Sequence, residues 1–342
     1  MATQQKDGGV PFAVTHELQS FRLLELPPEI VELLEAPNPP QLSIKSLPPA
    51  ASGAANPKPA YAVLCTPNKS FQIRQVQTSN SVFVTQPSYE AHGNEIPTPA
   101  TCAIASCSTT LELYPADASA VAHLGDVLPV YDIVGGEVDT TENGRSKGDV
   151  LADIPLSNAQ CEQGWNEIIA FELSRSSYRP SVNILRQVWS SINAAALAEN
   201  IKLDSQFLGY DLAELVAEES YPAPLTMAIL RHLAKSEQDT KGQWSCLDRR
   251  RTVSFVGRIL LQARQTSSEY RVADFIEEWK DSLPEAWRSE AQLKVIEGTY
   301  ELPSSTTIRA KSIPAATTET ATAKPTAAKG KWHERFAKTR KK

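Results

Sequence analysis

The 342-residue chain has no phosphate-binding loop of the form GxxxxGK[ST], no long apolar run and no cysteine pair at the two-residue spacing that closes a zinc site. The first absence excludes ATP hydrolysis by a P-loop, since the glycine pairs at 8–9 and 135–136 lack the lysine and helix that cradle phosphate. The second argues against a membrane span, which needs about eighteen or more consecutive apolar residues. The third, with five scattered cysteines (65, 102, 107, 161 and 246), argues against disulfides and structural zinc. The five histidines are too dispersed to place two metal ligands on one helix face. No metal and no cofactor are expected. The opening "MATQQKDGGVPFAV" lacks the basic start, apolar stretch and cleavage site of a secretory signal, so a reducing compartment, cytosol or nucleus, is expected.

Hydrophobic residues make up 41% and charged residues 22%, ordinary for a globular protein, and the length suits two to four units with cores of their own. The net charge of −6 conceals an asymmetry. Residues 321–342 carry +7, residues 1–150 carry −8 and residues 151–320 carry −5. An acidic body ends in a cationic arm, and partners feel such local fields rather than the total.

Along the chain, residues 1–14 are polar and small and are expected to be disordered. "FRLLELPPEIVELLE" (21–35) reads as a strand, a proline break and a short helix. Seven prolines between 36 and 60 predict an exposed loop. Strand patterns follow at 61–65, 71–77 and 81–85, split by the turn-favouring "TPNK" and "TSN", then at 102–105 and 110–114. In the second, the step from Ile73 to Val76 is odd-numbered and calls for a β-bulge. Short strands without intervening helices predict a small β-barrel module over residues 15–135.

The nearly apolar-free stretch 136–150 predicts a linker. Helical spacing then dominates. Ser157 and Gln160 make a capping-box pattern; stripes run through Leu185, Val188, Trp189 and Ile192, through Leu225, Ile229, Leu230 and Leu233, through Val253, Val256 and Leu260, and through Phe275, Ile276 and Trp279. A hairpin at 299–302 and 306–309 closes the run. Helices closed by a hairpin are the pattern of a winged helix, so the fold expected is α+β: an N-terminal small β-barrel, then tandem winged-helix domains at 151–207, 208–268 and, partial, 269–310. A flexible spacer (311–330) and a basic tail (331–342) follow.

Candidate chemistry is sparse. Cys246, Asp248 and His232 supply the residue types of a nucleophilic site, but Cys246 beside Trp244 and Leu247 reads as core filling, and no enzyme is expected. Arg249, Arg250 and Arg251 stand at a helix start, where the dipole disfavours cations without an anionic partner, and Arg258 shares a face with Arg251. Salt bridges within the protein are the plain alternative. With Lys331, Arg335, Lys338 and Arg340 of the tail, these arginines are the candidate DNA contacts.

Five stretches in this order, "FRLLELPPEIVELLE", "SFQIRQVQTSNSVFV", "LADIPLSNAQCEQGWNEIIAFEL", "LDRRRTVSFVGRILL" and "FIEEWKDSLPEAW" with the later "LKVIEGTYEL", resemble the Dcc family of sister-chromatid-cohesion proteins. The resemblance implies a nuclear, non-catalytic subunit of the alternative, Ctf-type replication factor C clamp loader, which acts on PCNA. It implies that residues 15–135 join the large Ctf-type subunit and a small Ctf partner, with Phe71, Ile73, Val76, Ser79, Asn80, Val82 and Val84 as candidate contacts through β-augmentation. It also implies that the winged helices contact DNA and the catalytic subunit of DNA polymerase epsilon. The family places its basic, tryptophan-containing segment after an arginine-phenylalanine pair, whereas here Arg335-Phe336 follows Trp332. A stand-alone winged-helix nucleic-acid-binding regulator is the alternative.

Overall fold

The computed structural model describes residues 10–46, 61–90, 98–134, 137–138, 144–235, 244–264 and 270–311. The basic tail and spacer lie outside these residues. In the front part, strands β1 (Phe12–Val14) and β2 (Leu23–Glu25) precede helix α1 (Pro28–Glu35), which starts on a proline at its first turn, where no N–H is needed. Strands β3 (Ser43–Ser46), β4 (Ala62–Cys65), β5 (Ser70–Glu90) and β6 (Thr98–Pro115) complete a six-stranded sheet of order β1-β6-β5-β4-β3, with β2 also pairing β6.

Five sequence expectations change here. The runs at 71–77 and 81–85 form one strand, as do those at 102–105 and 110–114: β5 and β6 pair antiparallel on both sides of the "TSN" step, which stays inside the strand. The bulge falls just beyond Val76: residues 78–81 of β5 stand opposite the single Ser108 of β6. Within the proline-rich stretch, Ser43–Ser46 form a strand paired with β4, and within the segment expected to be disordered, Phe12–Val14 pair with Thr101–Ala103. Finally, among the described residues no pair joins β3 to β1 or β2, so the sheet curls into a half-barrel and stays open.

In the rear part three successive stretches repeat one order: a helix, a short strand, two or three helical segments, then a strand or hairpin pairing back. The first holds α2 (Val121–Val127), β7 (Val130–Tyr131), the small pair β8 (Ile133–Val134) and β9 (Glu137–Val138), α3 (Lys147–Asp153), α4 (Asn158–Glu167), β10 (Phe171–Leu173) and β11 (Ser176–Pro180). The second holds α5 (Val182–Ala198), β12 (Phe207–Leu208), α6 (Gly209–Glu218), α7 (Ala223–Leu233) and β13 (Trp244–Ser245). The third holds α8 (Arg249–Ala263), β14 (Tyr270–Arg271), α9 (Val272–Asp281), 3-10 turns at Glu285–Glu290 and Leu293–Ile296, then β15 (Tyr300–Ser304) and β16 (Thr307–Ala310). These stretches begin at 121, 182 and 249, not at 151, 208 and 269, and helix α3 occupies the end of the expected linker.

Helices α3, α4, α5 and α8 start on side-chain caps. Ser157 and Gln160 form the complete capping box of α4, Ser181 accepts the Ile184 N–H at the start of α5, and Asp248 accepts the Arg251 N–H at the start of α8. The second and third stretches, with strands of the first, share one core of 33 buried apolar side chains, including Trp189, Trp279 and Trp287. Packing is tight: a Cβ on Gly257 would lie 2.6 Å from the Trp279 ring, so α8 and α9 approach only because that side chain is absent. Helices α2, α3 and α4 enclose a second core around Leu124, Ile154 and Trp165. The front sheet has a core of four: Ile30, Leu64, Phe71 and Leu113.

Candidate partner edge and basic cluster

The front sheet meets the rear through a small buried polar junction. Ser157 N–H donates to Ser70 Oγ (2.7 Å), Ser70 Oγ–H donates to Gln160 Oε1 (2.6 Å), and Gln160 Nε2 donates to the Ala116 carbonyl (3.1 Å). Lys45 Nζ donates to the Leu151 and Leu156 carbonyls (3.2 and 3.0 Å). The capping box that starts α4 thus also anchors the first residue of β5, and each buried donor has its acceptor.

From that anchor β5 runs outward. Strand β4 covers it only at Ser70, Phe71 and Gln72; beyond Gln72, among the described residues, β5 has β6 on one side and no strand on the other. A sheet edge of this length presents backbone donors and acceptors to any incoming strand. Side chains agree with the backbone. Val82 and Phe83, consecutive and therefore on opposite faces, are 47% and 49% exposed, and Tyr89 is 77% exposed. Across β6, Phe12 meets Phe83 edge to face at 6.4 Å and is itself exposed. The outer hairpin thus exposes apolar side chains on both faces, while Ala103, Ala105 and Cys107 of β6 are buried.

Of the predicted partner contacts, Phe71 is a correction: it is 1% exposed, lies in the four-residue core and is paired on both sides, so neither its ring nor its backbone is available. Ile73 packs against that core and Val76 is half-buried. Asn80 and Val82 are exposed, Val84 is half-buried, and the Ser79 side chain lies outside what is described. The sequence reading missed Phe83, Tyr89, Phe12 and Val14. Alternation between two-sided exposure and burial gave no signal for them, because a strand exposed on both faces has the same apolar pattern as one buried on both.

The candidate DNA contacts separate. Arg249 is taken up internally, with Nε 2.7 Å from the Glu290 carboxylate and a further bond to the Ala286 carbonyl. Arg250 is exposed beside a recess that it lines with Glu290, Lys294 and Glu297. Arg251 is exposed and Arg258 half-buried, and neither side chain has a carboxylate partner among the described residues. Lys331, Arg335, Lys338 and Arg340 lie outside the described residues. Cys246, Asp248 and His232 do not converge: Cys246 Sγ faces the Asp204 carbonyl (3.3 Å), Asp248 caps α8, and His232 Nδ1 bonds the Asn166 carbonyl (2.9 Å).

Among curated proteins no sequence match was found. A family model described as sister chromatid cohesion protein Dcc1 matches residues 21–320, which takes in both the half-barrel and all three rear stretches. No helix among the described residues is long and apolar enough to cross a membrane. With the greater part of its length matched, the chain belongs to the sister chromatid cohesion protein Dcc1 family and has a role in sister chromatid cohesion.

Proposed function

We propose that this protein is a non-catalytic nuclear subunit of the alternative, Ctf-type replication factor C clamp loader, and that it serves cohesion through loading or unloading of PCNA. The observation that carries this reading is the outer β5–β6 hairpin: an open edge flanked by exposed Val82, Phe83, Tyr89 and Phe12. Strands from the large Ctf-type subunit and its small partner complete the half-barrel there, supplying the missing ladder bonds and covering both apolar faces. The three repeated rear stretches are winged helices. In the first and third a hairpin pairs with the short strand after the first helix, in the orders β10-β11-β7 and β14-β16-β15, which supports that reading. These units contact DNA and the catalytic subunit of DNA polymerase epsilon, and Arg250, Arg251 and Arg258 are the described cations that carry the DNA contact.

The test is capture from nuclear extract by the full-length chain, read by mass spectrometry, with Val82→Asp/Phe83→Asp beside it. The two clamp-loader subunits come down with the parent and are lost with the variant, while thermal unfolding of the two proteins coincides. A parent chain that emerges as a free monomer sinks the subunit reading in favour of a stand-alone nucleic-acid-binding regulator. For DNA, Arg251→Ala/Arg258→Ala lowers the slope of log K against log salt by about one per lost phosphate contact; an unchanged slope removes those two residues from the interface.

A further inference from the structure

We infer that Arg251, Arg258 and His232 form a seat for a single phosphate group where α4, α7 and α8 meet. Arg251 and Arg258 stand two turns apart on α8, and Phe255 lies on the same stripe between them. His232, at the end of α7, packs its ring on Phe255, with centroids 5.7 Å apart, and is held from α4 through the Asn166 carbonyl. A carbonyl only accepts, so Nδ1 carries the proton, and Nε2 is left as the free nitrogen. Three elements thus fix the imidazole beside two guanidiniums.

Among the described residues these groups have no anionic partner. The buried Arg258 Nε–H has no acceptor among those residues, and guanidinium has five donors and no acceptor of its own. Asp248, the carboxylate at the start of the same helix, is committed through Oδ1 to the Arg251 backbone N–H at 2.7 Å. A half-buried guanidinium is costly unless a counter-charge reaches it. Phosphate fits because its oxygens match the planar fork of arginine and because it accepts from every donor present. The field at His232 agrees: burial first, then Arg251 and Arg258, hold its pKa down to about 4. Burial and Arg251 likewise push Arg258 down. A bound oxyanion cancels the cationic field at His232 and raises that pKa. Binding is therefore accompanied by proton uptake on Nε2, and affinity rises as pH falls from neutral. The groups facing His232 in this balance are Arg251 and Arg258 of α8 and the Asn166 carbonyl of α4.

The seat deepens the DNA reading and rests on it only for the source of the phosphate. The experiment is a titration of the full-length chain with inorganic phosphate, then with a short DNA duplex, read at the His232 ring proton resonance. Phosphate is expected to move His232 saturably while His16 and His123 stay in place, and Arg251→Gln and Arg258→Gln each to weaken this about tenfold. Arg251 is exposed, so its variant keeps the test independent of folding. DNA that displaces phosphate at His232 identifies the backbone as the source. A His232 that answers phosphate but ignores bound DNA keeps the seat and assigns it to free phosphate, and DNA contact then stands or falls on the salt slope alone. No saturable shift overturns the seat.

Discussion

The front half-barrel and the rear body make opposite uses of apolar side chains. Of the twenty large apolar residues exposed among the described positions, fourteen fall between Val10 and Tyr114, whereas the front core holds four side chains against 33 in the main rear core. The rear spends its apolar surface on itself. The front leaves most of its own uncovered and extends it along a 21-residue strand, several times the usual strand length, with an open edge. A fold built this way is finished by association, and the contrast separates residues that hold the chain together from residues that recruit its partners.

The contrast is sharpened most by Trp279→Ala. This ring is fully buried, donates from Nε1 to the Val253 carbonyl at 3.0 Å and packs on Phe275, so its loss is expected to cost about 3–5 kcal/mol by denaturant unfolding. Acid probes the same body. His232 is held neutral in the fold with a pKa of about 4, below its ordinary 6.5, so the unfolded chain binds the extra proton between these values. Stability is therefore whole above pH 6.5 and declines by about 3 kcal/mol as pH falls toward 4, a slope that His232→Gln removes. Gly257→Ala drives a methyl against the Trp279 ring and is expected to cost about 1–3 kcal/mol, read as a lowered unfolding midpoint. At the junction, Ser70→Ala removes the 2.7 Å acceptor of the buried Ser157 N–H and leaves only the longer bond to Gln160 Oε1 (3.3 Å), for about 1 kcal/mol. Its distinctive readout is faster hydrogen exchange in β4 and β5, with α5 to α9 unchanged. Smallest is Phe83→Ala, expected within about 0.5 kcal/mol of the parent in unfolding and measurable only as weakened capture of partner subunits. Were Phe83→Ala to destabilise the free chain as Trp279→Ala does, the contrast would break.

The rear helices were largely legible. Val188, Trp189 and Ile192, Leu225 through Leu233, and Val253, Val256 and Leu260 recur at helical spacing and are all buried where that spacing puts them. Gly298 stands after the last 3-10 turn at a φ of +85°, a backbone conformation glycine adopts without strain. Legibility failed where the determinant is distant. Helix α2 passed unnoticed because its one buried residue, Leu124, gives no periodicity. In the candidate sites, Arg249 looked as free as Arg251 until Glu290, 41 residues on, was found beside it.

The sequence by itself determined the start of α4, the apolar stripes, the missing nucleotide loop and the family, because each rests on residues within one or two turns of one another or on their order along the chain. Only the tertiary structure decided that "TSN" lies inside a strand, that Phe71 is interior while Phe83 is not, and that His232 packs on Phe255 between two arginines with no carboxylate partner among the described residues. Those outcomes depend on which backbone groups find partners and which charges share a neighbourhood, and both are set by segments far apart in the chain.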